Sequence, residues 1–193
     1  MKLITFSQNG LIKVGAILNE EIVDLSALVK DEPWNLIRLI ENTESLKFAR
    51  ELLNNPKKTI KLGEVALEAP ILRPRKFLGL GMNYKRHVEE LKDKGFKTSD
   101  YQVWFNKQVS CVNGPFSPIE KPRVSDALDY EGELAFVIGQ RCRHVKAEDA
   151  SSVIAGYMIA NDVSVRDWQL HSATWTIGKS FDTHGPIGPA LVT

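Results

Sequence analysis

The chain has 193 residues, 43% of them hydrophobic, enough to bury a substantial core in one large or two small domains. Its 25 basic and 24 acidic residues are interspersed and leave a net charge of +1, which excludes the basic field that nucleic acid or an anionic membrane requires. Met1-Lys2-Leu3-Ile4-Thr5-Phe6 is too short an apolar run for a signal peptide, no stretch reaches bilayer-spanning length, and two isolated cysteines, Cys111 and Cys142, point to free thiols and a cytoplasmic setting.

Leu3–Phe6, Leu11–Leu18 and Glu21–Leu25 read as strands, the first two joined at Gln8-Asn9-Gly10, where Asn-Gly tolerates a tight turn. Helical period follows: Pro33 suits a first turn, and Leu36, Ile37 and Ile40 share a face. Beyond Asn42-Thr43, the residues Leu46, Ala49, Arg50 and Leu53 recur at helical spacing until Asn54-Asn55-Pro56 stops them. Val65–Leu67 reads as a short strand and Ala69-Pro70-Ile71-Leu72-Arg73-Pro74 as an extended connector. A boundary is expected there, between a small N-terminal domain over 1–72 and a second domain over 73–193.

Phe77-Leu78-Gly79-Leu80-Gly81 reads as a strand entering a glycine turn, followed by a short polar helix with Asn83 as its expected N-cap. On that helix His87 and Glu90 are three apart and therefore neighbours. A histidine oriented by a carboxylate can work as a general base, although the same spacing also makes an ordinary solvated pair. Val103-Trp104-Phe105-Asn106-Lys107 reads as a strand ending in a lysine, before the turn Asn113-Gly114-Pro115.

The most informative stretch is Leu128-Asp129-Tyr130-Glu131-Gly132-Glu133-Leu134-Ala135-Phe136-Val137-Ile138-Gly139. Its apolar run reads as a strand, on which Glu131 and Glu133 point to one face with Cβ atoms roughly 6.5–7 Å apart. Leu134, Phe136 and Ile138 are expected to anchor the opposite face in a core. An isolated Glu-x-Glu usually sits at a strand end facing water, so its company decides its meaning. Ala147–Val153 suggests a helix, and Ala155–Ala160 a buried strand that ends at Asn161-Asp162, a usual place for a site residue. Ser164–Gln169 is polar, and Gly178-Lys179 sets a lysine after a glycine turn; each reads equally as a turn with an ordinary surface charge. Glu131, Glu133 and Asp162 together form an all-oxygen set that favours a hard cation, Mg²⁺ or Mn²⁺, with Ca²⁺ as a third choice.

From about Lys76 onward the chain resembles the fumarylacetoacetate hydrolase family. The resemblance rests on four stretches in the family's order: Gly81-Met82-Asn83-Tyr84-Lys85-Arg86-His87-Val88-Glu89-Glu90, Asp129-Tyr130-Glu131-Gly132-Glu133-Leu134, residues 156–169 around Asn161-Asp162, and Gly178-Lys179-Ser180-Phe181-Asp182-Thr183 with Gly185-Pro186-Ile187-Gly188-Pro189. It implies an α+β fold, a mixed β-roll catalytic domain preceded by a small mainly-β domain with short helices. It further implies a homodimer and a divalent metal held by Glu131, Glu133 and Asp162. His87 and Glu90 would be the acid–base pair, Gln169 and Lys179 the oxyanion donors, and Lys107 falls near a further family lysine. The implied substrates are small 2-oxo acids and acylpyruvates, as in aromatic catabolism, with carbon–carbon bond hydrolysis as the first expectation. Decarboxylation, isomerisation, hydration or lysis of a 2-oxo dicarboxylate, or a non-catalytic metal-binding scaffold, are the alternatives. Family members continue past Gly-Pro-Ile-Gly-Pro with further strands and a Gly-Thr-Pro loop, so residues 73–193 are expected to lack the last strands of the roll.

Overall fold

Alternating apolar positions punctuated by asparagine turns build the first strands. In a computed structural model these are β1 (Lys2–Gln8), β2 (Leu11–Leu18) and β3 (Glu21–Asp24). The structure describes residues 1–93 and 99–193, and the side chains of His87, Glu90 and Leu91 lie outside that description. Asn9 and Asn19 hold left-handed backbone at the two turns, with φ of 52° and 57°. Two helices follow, α1 (Leu36–Ile40) and α2 (Thr43–Asn54), each opened by an asparagine whose side chain accepts a backbone N–H: Asn35 from Ile37 and Asn42 from Ser45. After them come β4 (Ile60–Lys61) and β5 (Ala66–Glu68).

The second part of the chain runs β6 (Leu78–Gly81), α3 (Lys85–Asp93), β7 (Val103–Asn106), β8 (Val112–Asn113), β9 (Leu128–Asp129) and β10 (Gly132–Ile138). It ends with β11 (Ile154–Asn161), β12 (Ser164–Val165), α4 (Arg166–Gln169) and β13 (Gly185–Val192). The α3 helix starts after Asn83: the Tyr84 carbonyl accepts the Val88 N–H, so Asn83 is not its cap. Residues Ala147–Val153 form 3₁₀ turns in place of the expected α-helix. No helix among the described residues is long and apolar enough to cross a membrane.

Among the described residues nine strands join one mixed sheet, in the order β10-β11-β13-β1-β2-β3-β4, with β5 pairing β1 and β8 running parallel to β13. Strands from both sides of residue 72 are therefore hydrogen-bonded together: Leu3 pairs Leu191, and Lys2 pairs Val192. Gly156 permits the contact of β11 with β13, because a Cβ there would lie 2.4 Å from the Val192 carbonyl oxygen. The α1 and α2 helices close one side of the sheet over a core that includes Leu3, Val14, Leu39, Met158 and Leu191. Two short ladders, β9–β12 and β6–β7, stand outside the main sheet.

The face assignment of β10 needs correction. Side chains alternate as expected, but Leu134, Phe136 and Ile138 are exposed, at 62%, 53% and 49%, and Ala135 and Val137 pack against the core. Alternation fixes which residues share a face, whereas the element that covers the sheet decides which face is inward. Here Ala135 and Val137 pack against the core cluster that also holds Leu36, Leu39 and Ala49, and the larger side chains form an apolar surface with Tyr157 and Ile159 of β11, paired to them as Phe136↔Tyr157 and Leu134↔Ile159. The assignment is testable by urea unfolding. Leu3→Ala should cost about 2–5 kcal/mol as a core truncation, and Phe136→Ala less than about 1 kcal/mol. Equal losses would place Phe136 back in a core.

Candidate active site

The end of β11 and the start of β10 meet at the site. The Glu131 N–H donates to Asn161 Oδ1 at 3.0 Å, and the Asp162 N–H donates to the Glu131 carbonyl at 2.8 Å, so the two acidic residues face each other across the strand ends. Asp162 and two lysines, Lys107 and Lys179, are buried, each lysine only 2% exposed. Lys179 Nζ donates to Glu131 Oε1 and Asp162 Oδ2, both at 2.7 Å. Lys107 Nζ donates to Asp162 Oδ1 at 2.7 Å, to the Val163 carbonyl at 3.3 Å and to the Lys179 carbonyl. Isolated charges so deep would cost several kcal/mol each, and mutual pairing is what makes their burial tolerable. The Phe105 ring, 4.9 Å from Lys179 Nζ, adds a cation–π contact.

Arg166 ties a second tier to the first. The β9–β12 ladder, with Ser164 opposite Asp129, brings the guanidinium over Asp129, where Nε and Nη2 donate to Oδ2 at 2.9 and 2.6 Å. Nη1 reaches Glu131 Oε1 at 2.6 Å and Gln169 Oε1 at 3.1 Å. Ser164 Oγ donates to the same Glu131 oxygen at 2.9 Å. Gly178 allows the lysine loop to lie on α4, since a Cβ there would come within 2.2 Å of the Gln169 nitrogen. Its carbonyl accepts the Val165 N–H at 2.8 Å, which fixes Lys179 one residue later.

The two glutamates of the strand experience opposite fields. Burial favours the protonated form of Glu131, but the Lys179 hydrogen bond, the Lys179 and Arg166 charges and the Ser164 hydroxyl outweigh it and hold its pKa below the ordinary value. For Glu133 burial prevails, helped by the negative charges of Glu131 and Asp162, and the pKa is raised despite a hydrogen bond from Tyr84. The Tyr84 hydroxyl also accepts the Leu134 N–H at 3.1 Å, linking the entry of α3 to β10.

Of the residues singled out from sequence, Glu131, Asp162 and Lys179 are in direct contact. Gln169 joins them through Arg166, and Glu133 stands on the same strand face, held by Tyr84. His87 and Glu90 sit on α3 by backbone, with side chains outside the described residues. The reading of Lys179 as a solvated surface charge is overturned by its burial. Asp129, Ser164 and Arg166 were not singled out. Asp129 was within reach by the alternation that links Glu131 and Glu133, but Arg166 depends on the β9–β12 register, which leaves no local trace.

The all-oxygen donor set fits a hard divalent cation in chemistry. Among the described residues no three Asp, Glu, His or Cys side chains already converge as a cage, because the Lys179 ammonium lies between two of the three carboxylates. A cation there would use Glu131, Glu133 and Asp162, with Lys179 giving way.

Lys179→Met should destabilise the protein by up to about 3 kcal/mol near neutral pH, the low end for breaking a buried pair, because Asp162 keeps Lys107 and Glu131 keeps Arg166. The sign with pH follows from Glu131. Its lowered pKa contributes stability that is present above its unfolded value, about 4.3, and is lost as pH falls through the folded value. The gap between wild type and variant, read by urea unfolding, should therefore narrow on acidification below that value. A gap that is constant with pH would remove the Lys179–Glu131 pair as its source.

A family profile described as "Fumarylacetoacetate (FAA) hydrolase C-terminal" matches residues 76–193. The chain is 38% identical to the mitochondrial oxaloacetate tautomerase fahd2 of Xenopus laevis over its whole length, covering 62% of that protein. It is 37% identical to the human mitochondrial oxaloacetate tautomerase FAHD2A, with 89% of this chain and 55% of that protein aligned. The chain thus spans somewhat over half the length of these relatives. Among solved structures, a fumarylacetoacetate hydrolase from Exiguobacterium antarcticum superposes with a TM-score of 0.81 at 34% identity, over 100% of this chain and 66% of that one. Maleylpyruvate hydrolase from Sphingobium sp. SYK-6, in complex with manganese(II) and pyruvate, superposes with a TM-score of 0.78 at 31% identity, over 100% and 67%. The mixed sheet with few helices is the fold of these enzymes, and the chain belongs to the fumarylacetoacetate hydrolase family.

Proposed function

We propose that this site generates and stabilises the enolate of a small 2-oxo acid, and that the reaction it serves is keto–enol tautomerisation of a 2-oxo dicarboxylate such as oxaloacetate. One observation carries the reading: Lys107 and Lys179, both buried, and the half-exposed Arg166 converge on carboxylates at the ends of two strands. Enolisation moves negative charge onto the 2-oxo oxygen, and preorganised cations in a water-poor site are what stabilise such an oxygen. Tautomerisation asks for nothing more than this and one group to move a proton. The oxaloacetate tautomerases among the relatives support that choice.

A divalent cation held by Glu131, Glu133 and Asp162, Mg²⁺ or Mn²⁺, would supply Lewis-acid polarisation of the 2-oxo acid. The protein's own groups do the rest. Lys179 and the amide nitrogen of Gln169, whose oxygen is held by Arg166, donate to the developing oxyanion. Arg166, braced by Asp129, keeps Glu131 and Gln169 in place. His87, with Glu90 as its acid–base partner three residues on in the sequence, is the group we assign to move the proton at carbon.

A second reading, hydrolysis of a carbon–carbon bond in an acylpyruvate, is favoured by the similarity to maleylpyruvate hydrolase. It uses the same enolate as leaving group and adds one demand, that His87 take a proton from an attacking water. We read the protein as a homodimer, and the free Cys111 and Cys142 as belonging to a reducing compartment such as the cytoplasm.

With Mn²⁺ present, the protein should speed the loss of the enol absorbance of oxaloacetate above the Mn²⁺-only rate. Lys179→Met should cut that gain by about 10²–10³. An acylpyruvate assay in parallel separates hydrolysis from tautomerisation. No gain over Mn²⁺ alone in either assay, with metal bound, would leave a non-catalytic scaffold.

A further inference from the structure

Four carboxylates (Asp129, Glu131, Glu133 and Asp162) share the site with three cations (Lys107, Lys179 and Arg166), so with every group ionised the set carries one net negative charge. A divalent ion added to that set makes it positive, in surroundings where Lys107, Lys179 and Asp162 are all almost fully buried. An excess charge of either sign is costly there, and a 2-oxo acid anion is what restores balance.

The three cations are not equally free to yield. Lys107 holds two main-chain carbonyls, of Val163 and Lys179, as well as Asp162 Oδ1, so moving it would strip two backbone acceptors. Arg166 is anchored by two bonds to Asp129 and one to Gln169. Among the described residues Lys179 Nζ hydrogen-bonds Glu131 Oε1 and Asp162 Oδ2 alone, side-chain oxygens of the carboxylates best placed to bind a divalent ion. Resting on the metal-site reading above, we propose that Lys179 is an internal counter-ion that a divalent cation must displace, and that metal and a 2-oxo acid anion therefore bind cooperatively. Displaced from its carboxylates, the ammonium finds its new partner in the substrate anion. Neither partner then binds well alone: the metal competes with Lys179, and the anion meets a lysine already satisfied.

Linkage makes this reciprocal: if pyruvate raises Mn²⁺ affinity by some factor, Mn²⁺ raises pyruvate affinity by the same factor. The test uses Mn²⁺ and pyruvate, an unreactive 2-oxo acid, with free Mn²⁺ read from its electron paramagnetic resonance signal. In wild type, saturating pyruvate should tighten Mn²⁺ binding by about tenfold or more, within the usual range of coupling. In Lys179→Met, Mn²⁺ alone should bind more tightly than in wild type, and the pyruvate effect should shrink. Direct chelation of pyruvate by the metal also produces coupling, but leaves both quantities unchanged in the variant; that result overturns the proposal. Metal binding without coupling overturns it too, while the metal site stands. If Mn²⁺ binds neither protein, with or without pyruvate, the metal reading itself falls and takes this inference with it. Should the variant fail to fold, ¹⁵N-lysine spectra of wild type give the answer. Of the two buried ammonium signals, Mg²⁺ should move the one that lacks backbone acceptors, and two unmoved signals at saturation would refute the displacement.

Discussion

One buried carboxylate organises the site: Asp162, with Lys107 on one oxygen and Lys179 on the other. Burying an aspartate to 7% exposure and two lysines to 2% is costly unless each charge finds a partner. Each makes the others' burial possible, so the three act as a unit. The unit also fixes chain segments far apart in sequence. Lys107 follows β7, Asp162 follows β11, and Lys179 lies in the loop before β13. Where these segments meet, no hydrophobic contact would specify the geometry as tightly as a charged atom with a required partner at 2.7 Å.

The sheet supplies the platform for that unit. Its β11 strand lies between β10 and β13, apolar residues in its middle hold it there, and both acidic partners emerge at its end and at the facing start of β10. Glycines at Gly156 and Gly178 then set how closely neighbouring backbone can approach, one beneath the site and one beside it. His184 shows the same economy of partners in a quieter place. It is fully buried, its Nε2 donates to the Glu120 carbonyl at 2.9 Å, and among the described residues its Nδ1 has no partner. Burial lowers its pKa, so it serves as a neutral pin on the loop that precedes β9.

Much of the local structure was legible because it depends on local rules. The hairpin turn at Asn9-Gly10, the helical period of Leu36–Ile40 and of residues 46–53, and the shared face of Glu131 and Glu133 all follow from neighbours within a few residues. The inward face of β10 was misread for the opposite reason. Leu134, Phe136 and Ile138 lie on the face opposite the glutamates as alternation requires, but the core cluster that includes Leu36, Leu39 and Ala49 lies against Ala135 and Val137. The burial of Lys179 is of the same kind. Nothing at Gly178-Lys179 announces that two carboxylates, from positions 131 and 162, will converge on it.

The distinction between Lys107 and Lys179 shows how far chemistry can be read from such geometry. Both are equally buried, both touch Asp162, and sequence alone offers no reason to assign them different work. Their remaining acceptors separate them. A lysine bonded to backbone carbonyls belongs to the scaffold, because those acceptors are fixed by the fold and would be left unpaired if it moved. A lysine bonded only to carboxylate side chains can exchange them for another cation's field and find a new anion, provided one arrives. On the proposed displacement, the site holds one cation that defines its shape, Lys107, and another, Lys179, whose partners change with what is bound.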